Sequence, residues 1–453
     1  MKIEEIKIKN YRSLHEVTIY PRDILALVGK NGTGKSNILK ALKFFFDGTA
    51  KDIDSECFYC HKTEGKIEVQ LTFNKLTEWE KEQFLPWMDD NRLVICKEVS
   101  CDGGDAATIS VIAIKKVPEN VWLQESQFSG DNINEWWENK DTLRVKDSDF
   151  VAYVGGKKPK VGEWKEKAAG FVAINRDEIT FVESRIENPK GYAGVLKGAL
   201  PEFIYIPAVR DIQDETKVGK TNPFGQLINT VIDKITEKQK KVIEEKLKEI
   251  EMLLNRGGKE RIKEITDIET LLNKLISDVM ECDIEIQMPM PQLKNIFGDA
   301  KIYADDGVRT TIETKGHGLQ RSMIFTIMRA YAQLAHSIKA GDKSSERTTI
   351  FAVEEPEIYL HPQSQRTLMA VFREIASGND QVFYTTHSST FVDIHYFDEI
   401  CILMIIKEDG LPKTNVNQLH LIELLDDLEV RKGVRPTEVG IREQYSHVFN
   451  LFG

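Results

Sequence analysis

The sequence predicts an α/β fold, and three features of the 453-residue chain support that prediction. First, an apolar run at residues 24–28 leads into a glycine-rich loop that opens a helix. Second, residues 2–9, 15–20 and 66–73 alternate apolar and polar side chains, as half-buried strands do. Third, apolar residues recur at helical spacing between 228 and 279. Together these patterns predict sheets accompanied by helices.

The composition excludes several classes of function. Lys and Arg total 61 against 72 Asp and Glu, which gives a net charge of −11. An acidic chain is not a general polyanion binder, so contact with nucleic acid would need a local basic face or a partner. No apolar run of the sequence approaches the ~18–20 residues that span a membrane. We therefore expect a cytoplasmic protein without a membrane partner, its six cysteines being thiols.

The glycine-rich loop has the pattern of a phosphate-binding loop. Residues 29–36 read GKNGTGKS, which matches GxxxxGK[ST] between a strand and a helix. Its glycines let backbone N–H groups turn toward phosphates, and the helix N-terminus adds partial positive charge. Lys35 can reach the β- and γ-phosphate oxygens, and the Ser36 hydroxyl can bind Mg²⁺. The predicted ATP contacts are Asn31, Gly32, Thr33, Gly34, Lys35, Ser36 and Asn37.

The elements around the loop follow in chain order. A hairpin formed by the first two strands turns near Arg12, which is a candidate phosphate contact or a solvated turn residue. The helix after the loop ends at Asp47-Gly48. Residues 101–200 are irregular in pattern, and no chemistry can be assigned to them. A short buried-type strand follows at 203–207.

A helical arm follows that strand. Its apolar repeat starts at Ile228 and breaks at Gly257-Gly258, which predicts two antiparallel helices. Strand alternation resumes at 283–288. A hairpin is predicted at 300–313, turning at Asp305-Asp306-Gly307.

Two further motifs supply what hydrolysis needs after the triphosphate is bound. Residues 349–353 form an apolar strand that ends in Glu354 and Glu355, and residues 382–386 form another that ends at His387. Hydrolysis requires a metal ligand, a base that orients water and a γ-phosphate contact. We assign these roles to Glu354, Glu355 and His387 respectively.

A second glycine-rich helix start lies at residues 316–321, which read GHGLQR. A helix N-terminus of this kind is an anion site. Because the chain has one P-loop, we expect this second phosphate grip, formed by Gly316, Gly318 and Gln320, to serve the nucleotide of another subunit.

As a set, these motifs resemble the ABC-type ATPases of the OLD family, whose heads are related to those of SMC and RecF proteins. The resemblance covers the first 50 residues and about 300–395. It implies an ABC/SMC-type P-loop ATPase head, with a mixed-sheet lobe, a helical lobe and an inserted helical hairpin arm. It also implies that residues 316–321 are a signature acting across a head-to-head dimer, that His361 lies in the D-loop and that His387 is the switch histidine. Glu354 departs from the commoner aspartate, and Gln70 is the candidate for the Q-loop glutamine.

The resemblance also implies a domain organisation. We expect a first ATPase lobe at 1–215, containing the insertion at 101–200. An arm at 216–282 is expected to mediate oligomerisation. A second lobe at 283–430 would carry the signature, the paired glutamates and the histidine, and a C-terminal tail or linker would follow at 431–453.

In function, the resemblance implies an ATP-hydrolysing subunit of a phage-defence system. OLD-family proteins continue into a TOPRIM nuclease domain, whose signature strand and DxD pair are not recognisable in this sequence. We therefore expect the nuclease in trans or in a missing C-terminal domain. Two alternatives stay open: an ATP-gated scaffold that sequesters and releases a toxic effector, and a RecF-like repair ATPase. The expected partners are a second copy, the nuclease or effector, and as a candidate DNA.

Overall fold

The structure is a computed structural model, and it forms two compact units. It describes residues 1–89, 91–101, 107–188, 196–208, 237–256, 261–277, 280, 282–291, 301–338, 347–408, 410–419, 425, 426, 429 and 437. The first unit comprises Met1–Arg22, Lys30–Pro201 and Ile402–Gln418. The second comprises Asp23–Gly29, Glu202–Cys401 and Leu419–Gly453.

The strands and helices have the following bounds. The strands are β1 (Lys2–Tyr11), β2 (Leu14–Ile19), β3 (Ile24–Gly29), β4 (Ile67–Asn74), β5 (Met88–Asp89), β6 (Arg92–Ser100), β7 (Thr108–Pro118), β8 (Arg144–Val145), β9 (Ser148–Asp149), β10 (Phe181–Glu187), β11 (Glu202–Ile206), β12 (Tyr303–Asp305), β13 (Arg309–Thr311), β14 (Thr349–Glu354), β15 (Gln381–Thr386), β16 (Ile400–Glu408) and β17 (Leu411–Gln418). The helices are α1 (Lys35–Asp47), α2 (Glu78–Phe84), α3 (Gly130–Glu138), α4 (Phe150–Tyr153), α5 (Val161–Ile174), α6 (Leu196–Ala199), α7 (Glu237–Leu254), α8 (Lys263–Ser277), α9 (His317–Ile338) and α10 (Pro362–Ala376).

The first unit is built on an antiparallel sheet in the order β10-β7-β6-β4-β1-β2, with β5 paired to β6. The alternation that predicts β1, β2 and β4 places one side of each strand in the core, because successive side chains of a strand point to opposite faces. Helix α1 packs on that core, and the ring centroids of Phe45 and Phe73 lie 6.4 Å apart. Buried Lys97 donates hydrogen bonds to the carbonyls of Phe44 (2.8 Å) and Gly48 (2.6 Å), which satisfies the C-terminal end of α1.

The segment from 101 to 200 is more regular than its sequence pattern indicates. It contains β7, β10 and helices α3 and α5. The chain between β7 and β10 forms a separate apolar cluster, which includes Trp122, Ile133, Leu143, Phe150, Trp164 and Phe171. The Trp164 indole donates to the carbonyl of Trp122 at 3.0 Å. The sequence pattern is weak here because the helices are short and aromatic residues, rather than a periodic aliphatic stripe, fill the core.

The second unit contains parallel strands in the order β11-β14-β15-β3. All residues of β14 and β15 are buried, as expected of parallel strands covered on both faces. Helices α9 and α10 pack against this sheet, and the rings of Phe325 and Phe372 lie 6.1 Å apart. The predicted strands at 24–28, 203–207, 349–353 and 382–386 are confirmed.

The arm consists of α7 and α8 in the described residues, and Ile262 N–H donates to the Leu253 carbonyl at 2.8 Å. The predicted start near Ile228 and the break at Gly257-Gly258 lie outside the described residues. Arg256 bridges Glu269 at 2.7 Å and Asp283 at 2.7 Å.

The predicted strand at 283–288 is wrong. Asn273 binds the backbone N–H (2.6 Å) and carbonyl (2.8 Å) of Ile284, and Asn255 binds those of Met288 (2.7 and 2.8 Å). Side-chain amides thus take hydrogen bonds that a neighbouring strand would take. The predicted hairpin at 300–313 is confirmed as β12 and β13.

The predicted α/β fold is therefore confirmed. The six cysteines are free thiols, as the sequence predicts. Among the described residues, no helix combines the length and apolar character that crossing a membrane requires.

Candidate functional site

The P-loop of the first unit has the backbone that its glycines predict. Gly32 (φ 79°) and Gly34 (φ 98°) both adopt left-handed conformations, which residues with a Cβ disfavour. A Cβ on Gly34 would lie 2.6 Å from Thr414 Oγ1 and 2.8 Å from Ser13 Oγ. Gly34 is therefore required both by conformation and by space.

Two side chains of the P-loop donate hydrogen bonds to the backbone of the loop. Lys35 is buried, and its Nζ donates to the Lys30 carbonyl at 3.0 Å. The Thr33 hydroxyl donates to the same carbonyl at 2.9 Å. Lys35 thus lies folded against the loop that it is predicted to serve, while Asn31 and Gly32 are exposed.

Two residues outside the loop motif, Thr414 and Ser13, support the loop and its helix. Thr414 of β17 donates from its hydroxyl to the Thr33 carbonyl at 3.0 Å. Asn37 donates to the Ser13 hydroxyl at 3.0 Å, in the turn between β1 and β2. Thr414 lies 381 positions from Thr33, so no local pattern could have revealed it.

Arg12 lies in that same turn, with φ 54°, and its backbone N–H donates to the Cys57 carbonyl at 2.8 Å. Its Nε is buried and has no hydrogen-bond partner among the described residues. The turn thus contacts the P-loop through Ser13, and the role of Arg12 in phosphate binding stays a prediction.

The second unit brings the carboxyl ends of three parallel strands to one edge of its sheet. Glu354, the last residue of β14, lies opposite Thr385 of β15, and Thr386 lies opposite Val28 of β3. The chain continues from the end of β3 directly into the P-loop. In parallel α/β sheets, ligands bind outside the carboxyl ends of the strands.

Glu354 has the features of a cation ligand. Its side chain is buried, and Oε2 accepts from the Ala208 N–H at 3.3 Å. Its other oxygen, Oε1, has no hydrogen-bond partner among the described residues. Burying an unpaired carboxylate oxygen is costly, and a hard cation such as Mg²⁺ would remove that cost. The surroundings of Glu354 therefore fit a Mg²⁺ ligand. Ser36, the other predicted ligand, is partly exposed in the first unit, and its role stays a prediction.

Glu355 is held in an unusual backbone conformation. Its φ of 41° is rare for a residue with a side chain and costs on the order of 1–3 kcal/mol. Its N–H lies 3.0 Å from both the carbonyl and the hydroxyl oxygen of Thr385. The carboxylate is partly exposed, and Oε1 lies 3.6 Å from His387 Nε2. The structure thus brings together the predicted base and the predicted γ-phosphate contact.

Arg321 contacts the backbone of both acidic residues. Its buried guanidinium donates to the carbonyls of Pro207 (2.9 Å) and Glu354 (2.8 Å), and it lies 3.4 Å from the Glu355 carbonyl. One side chain therefore joins the end of β14 to the residue that follows β11. The sequence marks Arg321 only as the last residue of a motif, without this role.

The glycine-rich motif at 316–321 forms the start of α9. The Gly316 carbonyl accepts from the N–H groups of Leu319 and Gln320 at 3.0 and 3.1 Å. The Gln320 amide is buried and donates to the carbonyls of Ile312 (3.1 Å) and Glu313 (2.9 Å). Gln320 therefore fixes the start of the helix in this structure, and the predicted phosphate contacts of Gly316, Gly318 and Gln320 stay predictions.

Two other residues named from the resemblance have defined places. His361 is the N-cap of α10 and is exposed. Gln70 lies within β4, opposite Cys96 of β6. Neither placement tests the predicted role.

A protein-family model described as "AAA ATPase domain" matches residues 1–392. The chain belongs to this family. The chain is 24% identical over 403 residues to the Old nuclease of Escherichia phage P2, and the match covers 86% of this chain and 57% of that protein. It is 24% identical over 392 residues to Endonuclease GajA of Bacillus cereus, covering 86% of this chain and 56% of that protein.

These relatives confirm the resemblance to OLD-family ATPases that the motifs predict. The chain spans less than two thirds of the length of either curated relative. Among solved structures, it is similar to the SmcHead bound to the C-winged helix domain of ScpA, with 16% identity and a TM-score of 0.44 over 94% of this chain and all of that one. A likeness this distant carries no argument about function.

Proposed function

We propose that this chain binds ATP with Mg²⁺ and hydrolyses it. In this proposal the P-loop holds the phosphates through Lys35, Ser36 and Glu354 hold the metal, and Glu355 orients the attacking water while His387 contacts the γ-phosphate. Mg²⁺ would neutralise charge that develops on the phosphates. The ATPase domain family to which the chain belongs supports nucleotide binding.

The conformation of Glu355 is the observation that carries this proposal. A left-handed glutamate whose N–H is held at 3.0 Å by Thr385 is a strained arrangement, and such strain is concentrated at functional sites. The strain places a partly exposed carboxylate beside His387, at the sheet edge where the strand leading to the P-loop also ends.

Replacing Glu355 by Gln tests the assignment. The amide preserves the shape of the side chain but cannot accept a proton, so turnover should fall about 10²–10⁴-fold while ATP still binds. The matched control is Glu374→Gln, because Glu374 is a solvated acid of the same unit that pairs with Arg329 on the surface. Turnover of Glu355→Gln near that of the control would contradict the assignment.

We further propose that the ATPase serves a nuclease system in defence against phage and acts at least as a dimer. The names of the relatives, Old nuclease and Endonuclease GajA, support the link to nucleases. The glycine-rich start of α9, at Gly316 and His317, supports an anion site that a second copy would offer. The DNA-cutting centre would be a TOPRIM-type site outside the residues described above.

A further inference from the structure

A single carboxylate organises the turn that carries His387. Glu357, three residues after Glu354, directs its Oε1 at the residues that end β15. That oxygen accepts from the Thr386 hydroxyl at 2.8 Å, the His387 N–H at 2.6 Å and the Ser388 N–H at 3.2 Å. Hydrogen bonds to an ionised carboxylate are roughly twice as strong as neutral ones. The turn therefore depends on Glu357 for three of its hydrogen bonds.

A glutamine on α10 joins the same two segments. The Gln365 amide donates to the carbonyl of Leu360 at 3.1 Å and lies 3.4 Å from that of Glu357. Its oxygen accepts from the Ser388 hydroxyl at 3.1 Å. The segment after β14 and the turn after β15 are thus linked at two points, one through Glu357 and one through Gln365.

We propose that Glu357 is a positioning residue that sets the place of His387 relative to Glu355; this inference rests on the proposed ATPase function. The His387 side chain is 34% exposed, so packing alone does not fix its ring. Its backbone is fixed by Glu357, and its Nε2 lies 3.6 Å from Glu355 Oε1. Moving the turn would change the distance between these two groups without removing either one.

The dependence between carboxylate and turn runs in both directions. The second oxygen of Glu357, Oε2, is buried and has no hydrogen-bond partner among the described residues. Within the described part of the chain, the hydrogen bonds to this carboxylate therefore come from residues 386–388. Because an uncompensated buried carboxylate is costly, the turn is strongly held in this one arrangement.

A double-mutant cycle in ATP hydrolysis tests the inference. Glu357→Ala should lower kcat about 10–100-fold and leave KM for ATP within about twofold, because the change acts on chemistry and not on the P-loop. In a His387→Ala background the same replacement should cause no further loss, measured in single turnovers for sensitivity. Glu357→Gln should fall between wild type and Glu357→Ala, since an amide oxygen still accepts hydrogen bonds. Additive losses would overturn the inference, because they would mean that Glu357 does not act through His387.

Hydrogen exchange gives a readout that does not require hydrolysis. In Glu357→Ala, the amide of His387 should exchange faster, because its acceptor has been removed. The amide of Ser388 also donates to the Thr386 hydroxyl at 3.0 Å and should change less. Glu374→Gln should leave both amides unchanged. Unchanged exchange in Glu357→Ala and Glu357→Gln would overturn the inference. A wild-type chain that shows no ATP hydrolysis, with faster exchange in Glu357→Ala, would instead contradict the proposed function and leave the structural part of the inference standing.

Discussion

Replacing Arg321 by Ala should destabilise the second unit more than any surface change on the same helix. The guanidinium makes two short hydrogen bonds to the carbonyls of Pro207 and Glu354, and it is 6% exposed. Hydrogen bonds to a charged group contribute about 1.5–3 kcal/mol each, and truncation leaves both carbonyls without their donor. Part of this loss is offset because the guanidinium no longer has to be buried. We expect a loss of about 3–5 kcal/mol in the free energy of unfolding.

The same helix offers a matched control. Arg329 of α9 pairs with Glu374 at 2.7 Å, but its side chain is 49% exposed. Exposed ion pairs contribute about 0–1 kcal/mol, so Arg329→Ala should change stability by no more than that. Arg321→Lys should lose about half as much as Arg321→Ala, because an ammonium lacks the fork that reaches two carbonyls.

The assay must follow each unit. All six tryptophans lie between Trp79 and Trp164, within the first unit, so their fluorescence in urea reports on that unit. Hydrogen exchange of the amides in β14 and β15 reports on the second. Arg321→Ala should accelerate exchange there and leave the tryptophan transition near that of wild type. Exchange in Arg321→Ala equal to that in Arg329→Ala would refute the reasoning.

Three further predictions follow from other parts of the molecule. A Lys35→Ala chain mixed with a Gly318→Asp chain should regain ATPase activity that neither has alone. Gly318→Ala is the control for added bulk, since a Cβ at this position would lie 3.2 Å from the Tyr359 carbonyl oxygen. No recovery in proven heterodimers would contradict a shared site. Burial raises the pKa of Glu399 to about 7 despite its ion pair with Arg373, so the folded state binds more protons than the unfolded one between pH 4.5 and 7. Stability should therefore fall across that window by up to about 3 kcal/mol, and urea titrations should show a flatter profile for Glu399→Gln. The purified chain should not cut plasmid DNA with ATP and Mg²⁺ or Mn²⁺, and cleavage that persists in Lys35→Ala would contradict this.

The last of these predictions rests on how the acidic groups are used. Within the described residues, one group of three side chains has metal-binding spacing, namely Glu68, Cys96 and Glu98. Glu98 already pairs with Lys66 at 3.2 Å and with Arg185, and burial raises the pKa of the Cys96 thiol to about 12. These partners favour a structural role in the sheet, since phosphodiester cleavage needs several carboxylates on one or two metals and this group has two.

The sequence predicts the parts of the fold whose patterns are local. The P-loop and its helix depend on residues 29–47, and β14 and β15 have apolar centres bounded by polar residues, so both could be predicted directly from the sequence. The aromatic core around Trp164 could not, because its members come from several short elements. The segment at 283–288 has the alternation of a strand, yet Asn255 and Asn273 supply its hydrogen bonds, and nothing in its own pattern reveals that.

The candidate site divides in the same way. Lys35, Glu354, Glu355 and His387 each stand at the end of a strand or the start of a helix, where a single sequence shows them. The residues that hold them in place are distant in sequence: Thr414 reaches the P-loop, and Arg321 reaches the backbone of Glu354. No local sequence pattern predicts the roles of Thr414 and Arg321, because their partners come near them only when the chain folds.

The measurement that tests the central proposal most directly is phosphate release by the wild-type chain as a function of ATP concentration, with and without Mg²⁺. We expect release that saturates with ATP, requires Mg²⁺ and is lost in Lys35→Ala, whose P-loop lacks the cation that reaches the phosphates. Phosphate release that continues unchanged in Lys35→Ala, or a wild-type chain that binds ATP but releases no phosphate, would contradict it.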